Sequence, residues 1–200
     1  MRFFKQRKDV DHIIAGCRKG DARCQELLFK KYASLLLTVC RRYEYAGFGA
    51  SDILQESFLT IFENIHRFDP EKGHLEAWMR KITVNTALKA IRKRKISFLD
   101  IERSHFQFAD SSSEEIDVEL ISEEEILSTL QTLPKGYRTI FNLFVIEEMS
   151  HQEIASALGI TVSTSKSQLS KAKKMLRKKL SVKKTEAREN NRSIYTKNYL

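Results

Sequence analysis

SHQEIASALGITVSTSKSQLSKAKKMLRKKL, from Ser150 to Leu180, decides how the rest of the chain is read. Ser150, with Glu153 three residues on, fits a capping box: a serine to cap a helix and a glutamate to reach back to its backbone. Ile154, Ala155 and Leu158 give that short helix one apolar face. Gly159 stops it, because glycine turns left-handed without a side-chain clash. Ile160 is expected as a buried plug and Thr161 as the cap of a second, longer helix. There Val162, Ser165, Leu169, Ala172, Leu176 and Leu180 recur at steps of three and four and make an inward stripe. Lys166, Lys171, Lys173, Lys174, Arg177, Lys178 and Lys179 fall largely off it. A short helix, a glycine turn and a basic second helix make a helix-turn-helix, whose second helix enters the major groove of duplex DNA. A helical hairpin with a solvated lysine face is the plainer alternative. Thr164, Lys166, Ser167, Gln168, Lys171 and Lys173 are the candidates for contact with bases and phosphates. Ser165 is small and polar where the stripe calls for an aliphatic side chain.

The chain has 200 residues, 42% of them hydrophobic, which suffices for one or two modest cores. Two prolines and seven glycines suit helices better than a sheet with many turns. A formal net charge of +9 favours a polyanionic partner, nucleic acid before membrane. Cys17, Cys24 and Cys40 form no close pair and have no adjacent histidine, so they read as reduced thiols packed on helices. There is no apolar run of about 18 residues and no apolar signal core at the start, so a cytoplasmic protein is expected. No cofactor, metal or catalytic residue is expected, since paired carboxylates and histidines at acid–base or metal spacing are missing.

Upstream, 9–20 and 22–45 read as helices. Val10, Ile13, Ile14 and Cys17 are apolar in the first; Leu27, Leu28, Tyr32, Leu35, Leu36, Val39 and Cys40 in the second. Ser51 is taken as the cap of a further helix with Leu54, Phe58, Ile61, Phe62 and Ile65 buried. Asp52, Gln55 and Glu56 on its first turns suit either the helix dipole or a protein partner with a basic patch. After a turn at 69–73, the segment HLEAWMRKITVNTALKAIRKRK reads as a basic helix with inward Trp78, Ile82, Ala87, Leu88 and Ile91. Arg80, Lys81, Lys89 and Arg92 remain for phosphates, and Asn85 for an unstacked base; this mix suits single-stranded nucleic acid. Trp78 reads as core or as a stacking platform. From Ser97 the composition turns acidic, and the stretch reads as a flexible linker that solvates a hinge or occupies a basic channel in a partner. Ser122 with Glu125 opens a helix to Leu133. Pro134 starts the next, with Ile140, Phe141, Phe144 and Val145 as core. Residues 183–200 read as a fraying polar tail.

Taken together, ASDILQESFLTIFENIHRFDP, LEAWMRKITVNTALKAIRKRK and LPKGYRTIFNLFVIEEMSHQEIASALGI with STSKSQLSKAKKML resemble the bacterial RNA polymerase sigma factors of the extracytoplasmic-function group. The resemblance implies an all-α fold of two small helical domains joined by an acidic flexible linker. A region 2-like domain would span 1–96, the linker 97–122, a region 4-like helix-turn-helix domain 123–182 and the tail 183–200. It implies docking of Asp52, Gln55, Glu56 and Phe58 on the polymerase β′ coiled coil. The minus-ten element, as single strand, would meet Trp78, Arg80, Lys81, Asn85, Lys89 and Arg92. The helix from Thr164 would read duplex minus-thirty-five DNA. It further implies a break in the helix near Asn85, the β subunit as a second polymerase contact, and control by a separate anti-sigma protein. Ser165 and Gln168 depart from the family, which usually carries an aliphatic residue and an arginine there. The rival reading is a stand-alone helix-turn-helix regulator of duplex DNA.

Overall fold

Asp21 shows how the first joint of the chain is set. Its carboxylate accepts from the Cys24 backbone N–H at 2.9 Å and caps the helix Ala22–Arg42. The structure, a computed structural model, describes residues 2–44, 49–93 and 128–197, with side chains over 10–44, 49–93 and 128–181. Every described element is helical, as an all-α chain of two helical domains requires. Two units divide them, Met1–Lys95 and Ile96–Leu200. The expected linker at 97–122, and the capping box of Ser122 with Glu125, lie outside the described residues.

The N-terminal unit holds α1 (Arg2–Arg18), α2 (Ala22–Arg42), α3 (Ala50–Asn64), one-turn 3-10 segments at Ile65–Arg67 and Pro70–Lys72, and α4 (Leu75–Lys93). α2 lies against each of the other three helices, and α3 against α4. Leu28, Leu36, Cys40, Ile53, Ile61, Met79 and Ala87 are fully buried between them. The close approach of α1 to α2 requires a glycine, because a Cβ at Gly16 would lie 2.2 Å from the Cys24 sulfur. Arg18 Nη2 donates to the Phe68 carbonyl at 2.7 Å and ties α1 to the segment before α4. Cys17, Cys24 and Cys40 are free and buried. Burial pushes the Cys17 thiol up to about 11 and the Cys40 thiol up to about 12, so both stay protonated at neutral pH.

Several expectations shift here. α1 starts at Arg2 rather than Asp9, and α2 ends at Arg42 rather than Tyr45. Leu27 and Leu35, taken as core, are exposed. They sit at the edge of a wide apolar stripe, where about 100° per residue leaves the side facing the partner undecided. The cap of α3 is Gly49 and not Ser51: Asp52 accepts from the Gly49 N–H at 3.0 Å, and Ser51 lies inside the helix. α4 runs unbroken through Asn85.

The described part of the C-terminal unit comprises a helical turn at 128–131, α5 (Lys135–Phe141), a wide-turned segment Asn142–Ile146, α6 (His151–Leu158) and α7 (Val162–Lys197). Leu130, Leu133 and Tyr137 pack on Ala172 and Leu176. In the wide turn the Glu147 N–H bonds the Asn142 carbonyl five residues back at 3.0 Å. That extra residue in the turn changes the phase of the helix face. Leu143 therefore points inward, while Val145, expected in the core, is exposed and Phe144 half-buried. Residues 183–197 continue α7, in a stretch without glycine or proline.

Candidate nucleic-acid interface

The turn before α7 is built as its sequence demands. Ser150 Oγ accepts from the Glu153 N–H at 3.2 Å, and Glu153 Oε2 accepts from the Ser150 N–H at 2.8 Å. Gly159 takes the left-handed conformation at φ 68°, ψ 37°. Thr161 Oγ1 accepts from the Thr164 N–H at 3.0 Å and opens α7. The inward row of α7 is Ser165, Gln168, Leu169, Ala172 and Leu176.

This row corrects the sequence reading at three points. Gln168, a candidate for DNA contact, is 1% exposed and faces the interior. Val162, placed in the inward stripe, is exposed, and Ile160 is only half-buried. The first turn of α7 thus presents Val162, Ser163 and Lys166 outward. Thr164 and Ser167 are half-buried; the Thr164 hydroxyl shares a bond with Thr161 at 2.8 Å, and Ser167 Oγ donates to the Thr164 carbonyl at 3.1 Å. Lys171 is half-buried. Lys173 is exposed, with its ammonium 5.9 Å from the centre of the Phe144 ring.

Ser165, the residue out of pattern, is fully buried, and its hydroxyl shares a hydrogen bond with His151 Nδ1 at 2.9 Å. A buried hydroxyl without a partner would cost about 1–3 kcal/mol, so His151 removes the penalty that the serine would otherwise carry. The His151 ring stacks on Phe144, with centroids 4.4 Å apart and planes 24° apart. Burial, then Lys166 and Lys173, hold its imidazole below the ordinary histidine range.

In the N-terminal unit, α3 and α4 enclose a groove of about 470 Å³. Trp78, Ile82, Asn85, Lys89 and Arg92 line it from α4 at steps of three and four, together with Thr86. Across from this row stand Glu56, Thr60 and Asn64 at steps of four on α3, and Arg67 from the following turn. Three cations face one carboxylate, with an indole and two amides between them. Trp78 is half-buried: its ring meets Phe68 at 5.6 Å, tilted by 54°, and it also lines the groove. Arg80 and Lys81 do not line it; Arg80 is half-buried, and its place on the helix lies well away from the row of Trp78, Asn85 and Lys89. Thr60, Asn64 and Arg67 escaped the sequence reading, although the polar row Glu56, Thr60, Asn64 beside an apolar stripe was a usable signal.

The other predicted cluster is only partly a surface. Asp52, Gln55 and Glu56 are exposed along α3, but Phe58 is 3% exposed and packs its ring 4.7 Å from that of Phe29. The apolar residue that does face outward there is Leu59, 61% exposed. Among the described residues no group of three or more His, Cys, Asp or Glu could hold a metal ion, and no helix is long and apolar enough to cross a membrane.

Comparison with known proteins matches residues 28–96 to sigma-70 region 2 and residues 123–176 to sigma-70, region 4. The chain is 30% identical over 177 residues to the ECF RNA polymerase sigma factor SigW of Bacillus subtilis, across 84% of this chain and 94% of that one. It is 26% identical over 153 residues to the ECF sigma factor SigE of Mycolicibacterium smegmatis, across 75% of this chain but 59% of that one. Among solved structures, the sigma factor RpoE of Bartonella quintana, crystallised with the anti-sigma factor NepR, is similar at 22% identity and a TM-score of 0.44, over 77% of this chain and 97% of that chain. The groove falls within the first matched region and the turn between α6 and α7 within the second, and the chain belongs to the extracytoplasmic-function RNA polymerase sigma factors.

Proposed function

We propose that the groove between α3 and α4 holds the unpaired strand of the minus-ten promoter element, and that the first turn of α7 reads duplex DNA at the minus-thirty-five element. As a sigma factor the chain binds core RNA polymerase and directs promoter recognition and initiation. The observation that carries the residue assignment is the row Trp78, Asn85, Lys89 and Arg92 along one wall of the groove. An indole offers a base a stacking surface, an amide reads its edge, and the cations follow the backbone. Capture of an unstacked base offsets the few kcal/mol that unstacking costs. Thr60, Asn64 and Arg67 complete the opposite wall.

On α7 the contacts pass to four exposed residues and the half-buried Lys171. Val162 suits a thymine methyl, Ser163 a base edge, and Lys166, Lys171 and Lys173 suit phosphates. Asp52, Gln55 and Glu56, with Leu59 as an apolar knob among them, form the proposed polymerase-docking surface. A polar ring around one exposed leucine is a pattern of protein interfaces. The domain limits 1–96 and 123–182, the acidic connection between them, action in the cytoplasm and control by a separate anti-sigma protein belong to the same proposal.

Run-off transcription with purified core polymerase on fragmented genomic DNA tests it. Discrete transcripts that share two upstream elements at fixed spacing are the expected result. A footprint by the protein alone on a palindromic site, with no transcript, would instead support the stand-alone regulator.

A further inference from the structure

At its turn the helix-turn-helix carries a polar bond between two helices whose buried side chains are mostly apolar, Gln168 being a second buried polar group on α7. His151 on α6 shares a hydrogen bond with the buried Ser165 on α7 at 2.9 Å, and its ring stacks on Phe144 of the wide turn. One side chain of α6 thus engages two further segments. Further along α7, Leu169, Ala172 and Leu176 are buried, the last two against Leu130, Leu133 and Tyr137. Apolar contacts have no preferred direction and tolerate a small roll of a helix; a hydrogen bond is sensitive to both distance and angle. The first turn of α7 lacks such apolar anchorage. Its inward position is a serine, and Val162 before it is exposed.

Rotation matters at this turn. With side chains reaching about 5–6 Å from a helix axis, a roll of about 20° carries a side-chain tip about 2 Å, enough to lose a base contact. Burial, then the charges of Lys166 and Lys173 on α7, favour the neutral ring. A neutral ring bonds the serine hydroxyl as either donor or acceptor.

We propose that His151 is a positioning residue for duplex recognition, setting through Ser165 the angle at which Val162, Ser163 and Lys166 meet the DNA. This rests on the reading that α7 enters duplex DNA. His151 itself need touch no base.

The test uses holoenzyme reconstituted from the full chain and core polymerase. Its Kd is measured on a promoter fragment recovered by run-off and on the same fragment with the upstream element scrambled. His151→Phe keeps the ring stack and removes the bond; Ser165→Ala removes it from the other side. Each single variant is expected to lower the ratio of the two affinities about fivefold to tenfold, the worth of one hydrogen bond. The double variant should lose no more than either single one, and affinity for the scrambled fragment should not change. A merely structural role would weaken both fragments alike and leave the ratio intact. An unchanged ratio in a folded variant, or additive losses, would overturn the proposal; circular dichroism of each variant reports folding, and Ser165→Ala serves alone if His151→Phe does not fold. Lack of discrimination by the unsubstituted holoenzyme would remove the duplex reading of α7 and this inference with it, a result distinct from loss on substitution.

Discussion

Both units bury polar side chains, but they use them differently. In the N-terminal unit Ser57 Oγ donates to the Ile53 carbonyl at 2.6 Å and Thr83 Oγ1 to the Met79 carbonyl at 3.0 Å, each within its own helix. Such bonds satisfy the hydroxyl and say nothing about which helix lies beside which. In the C-terminal unit two buried polar groups reach between elements. Arg138 Nη1 donates to the Gln131 carbonyl at 3.1 Å, and Ser165 bonds His151 across the turn. Apolar packing dominates the arrangement of the first unit, with Arg18 on the Phe68 carbonyl as a bond between elements, whereas buried directed bonds share that task in the second. The first should tolerate polar changes on its groove without losing its fold; the second should couple fold and recognition.

The largest expected effect lies on the first unit's surface. Asp52→Lys with Glu56→Lys should weaken core polymerase binding about 100-fold or more, the scale for reversed charges at an interface. Because Asp52 also caps Gly49, Asp52→Asn is the control that keeps an acceptor there. A pull-down with unaltered binding would separate α3 from polymerase docking.

Next comes Gln168→Ala, which sharpens the contrast in the second unit. Removal of a buried amide should cost about 1–3 kcal/mol and lower Tm, whereas exposed Lys166→Ala should leave Tm in place. If Gln168→Ala kept its Tm and lost only promoter affinity, Gln168 would return to the DNA contacts. A smaller effect is expected from Asn85→Ala, which should slow promoter opening about tenfold, followed by fluorescence of 2-aminopurine in the minus-ten element, while core binding holds. Loss of core binding would sink the assignment of Asn85 to the groove.

Acid should give the mildest effect and reach the units at different pH. The Asp21 carboxyl is lowered by the Cys24 N–H that it caps. Its contribution is present above about pH 3.9, the ordinary aspartate value, and is lost as pH falls through the lower folded value. The His151 imidazole is lowered by burial, then by Lys166 and Lys173. The neutral ring suits the fold, so stability is full above about pH 6.5 and declines as pH falls below it. Thermal melts between neutral pH and pH 5 should show the decline in the C-terminal unit, flattened in His151→Phe; an identical decline in the variant would assign it to another group.

How much of this could be read in advance depended on whether the signal was local. Ser150, Glu153, Gly159 and Thr161 act within one turn of chain, and each does in the structure what its chemistry requires. Gly49 was missed as the cap of α3 because a glycine cap has no side chain to advertise it, while Ser51 nearby did. Phe58 and Leu59 are neighbours on one helix, yet the first is buried and the second exposed. Only the position of α2 decides between them.

The groove followed the same rule. Its α4 wall was visible as cations and amides at helical spacing, while the α3 wall became part of it only when the two helices packed. Composition, caps and periodicity by themselves determined a helical chain, the helix-turn-helix and the basic faces, because these depend on interactions a few residues apart. Tertiary structure alone decided the rotation of each helix, which turned Gln168 inward, set Val162 outward and brought His151 to Ser165, fourteen residues away in sequence. A helical stripe has edges, and which edge is covered depends on a neighbour that local periodicity does not encode.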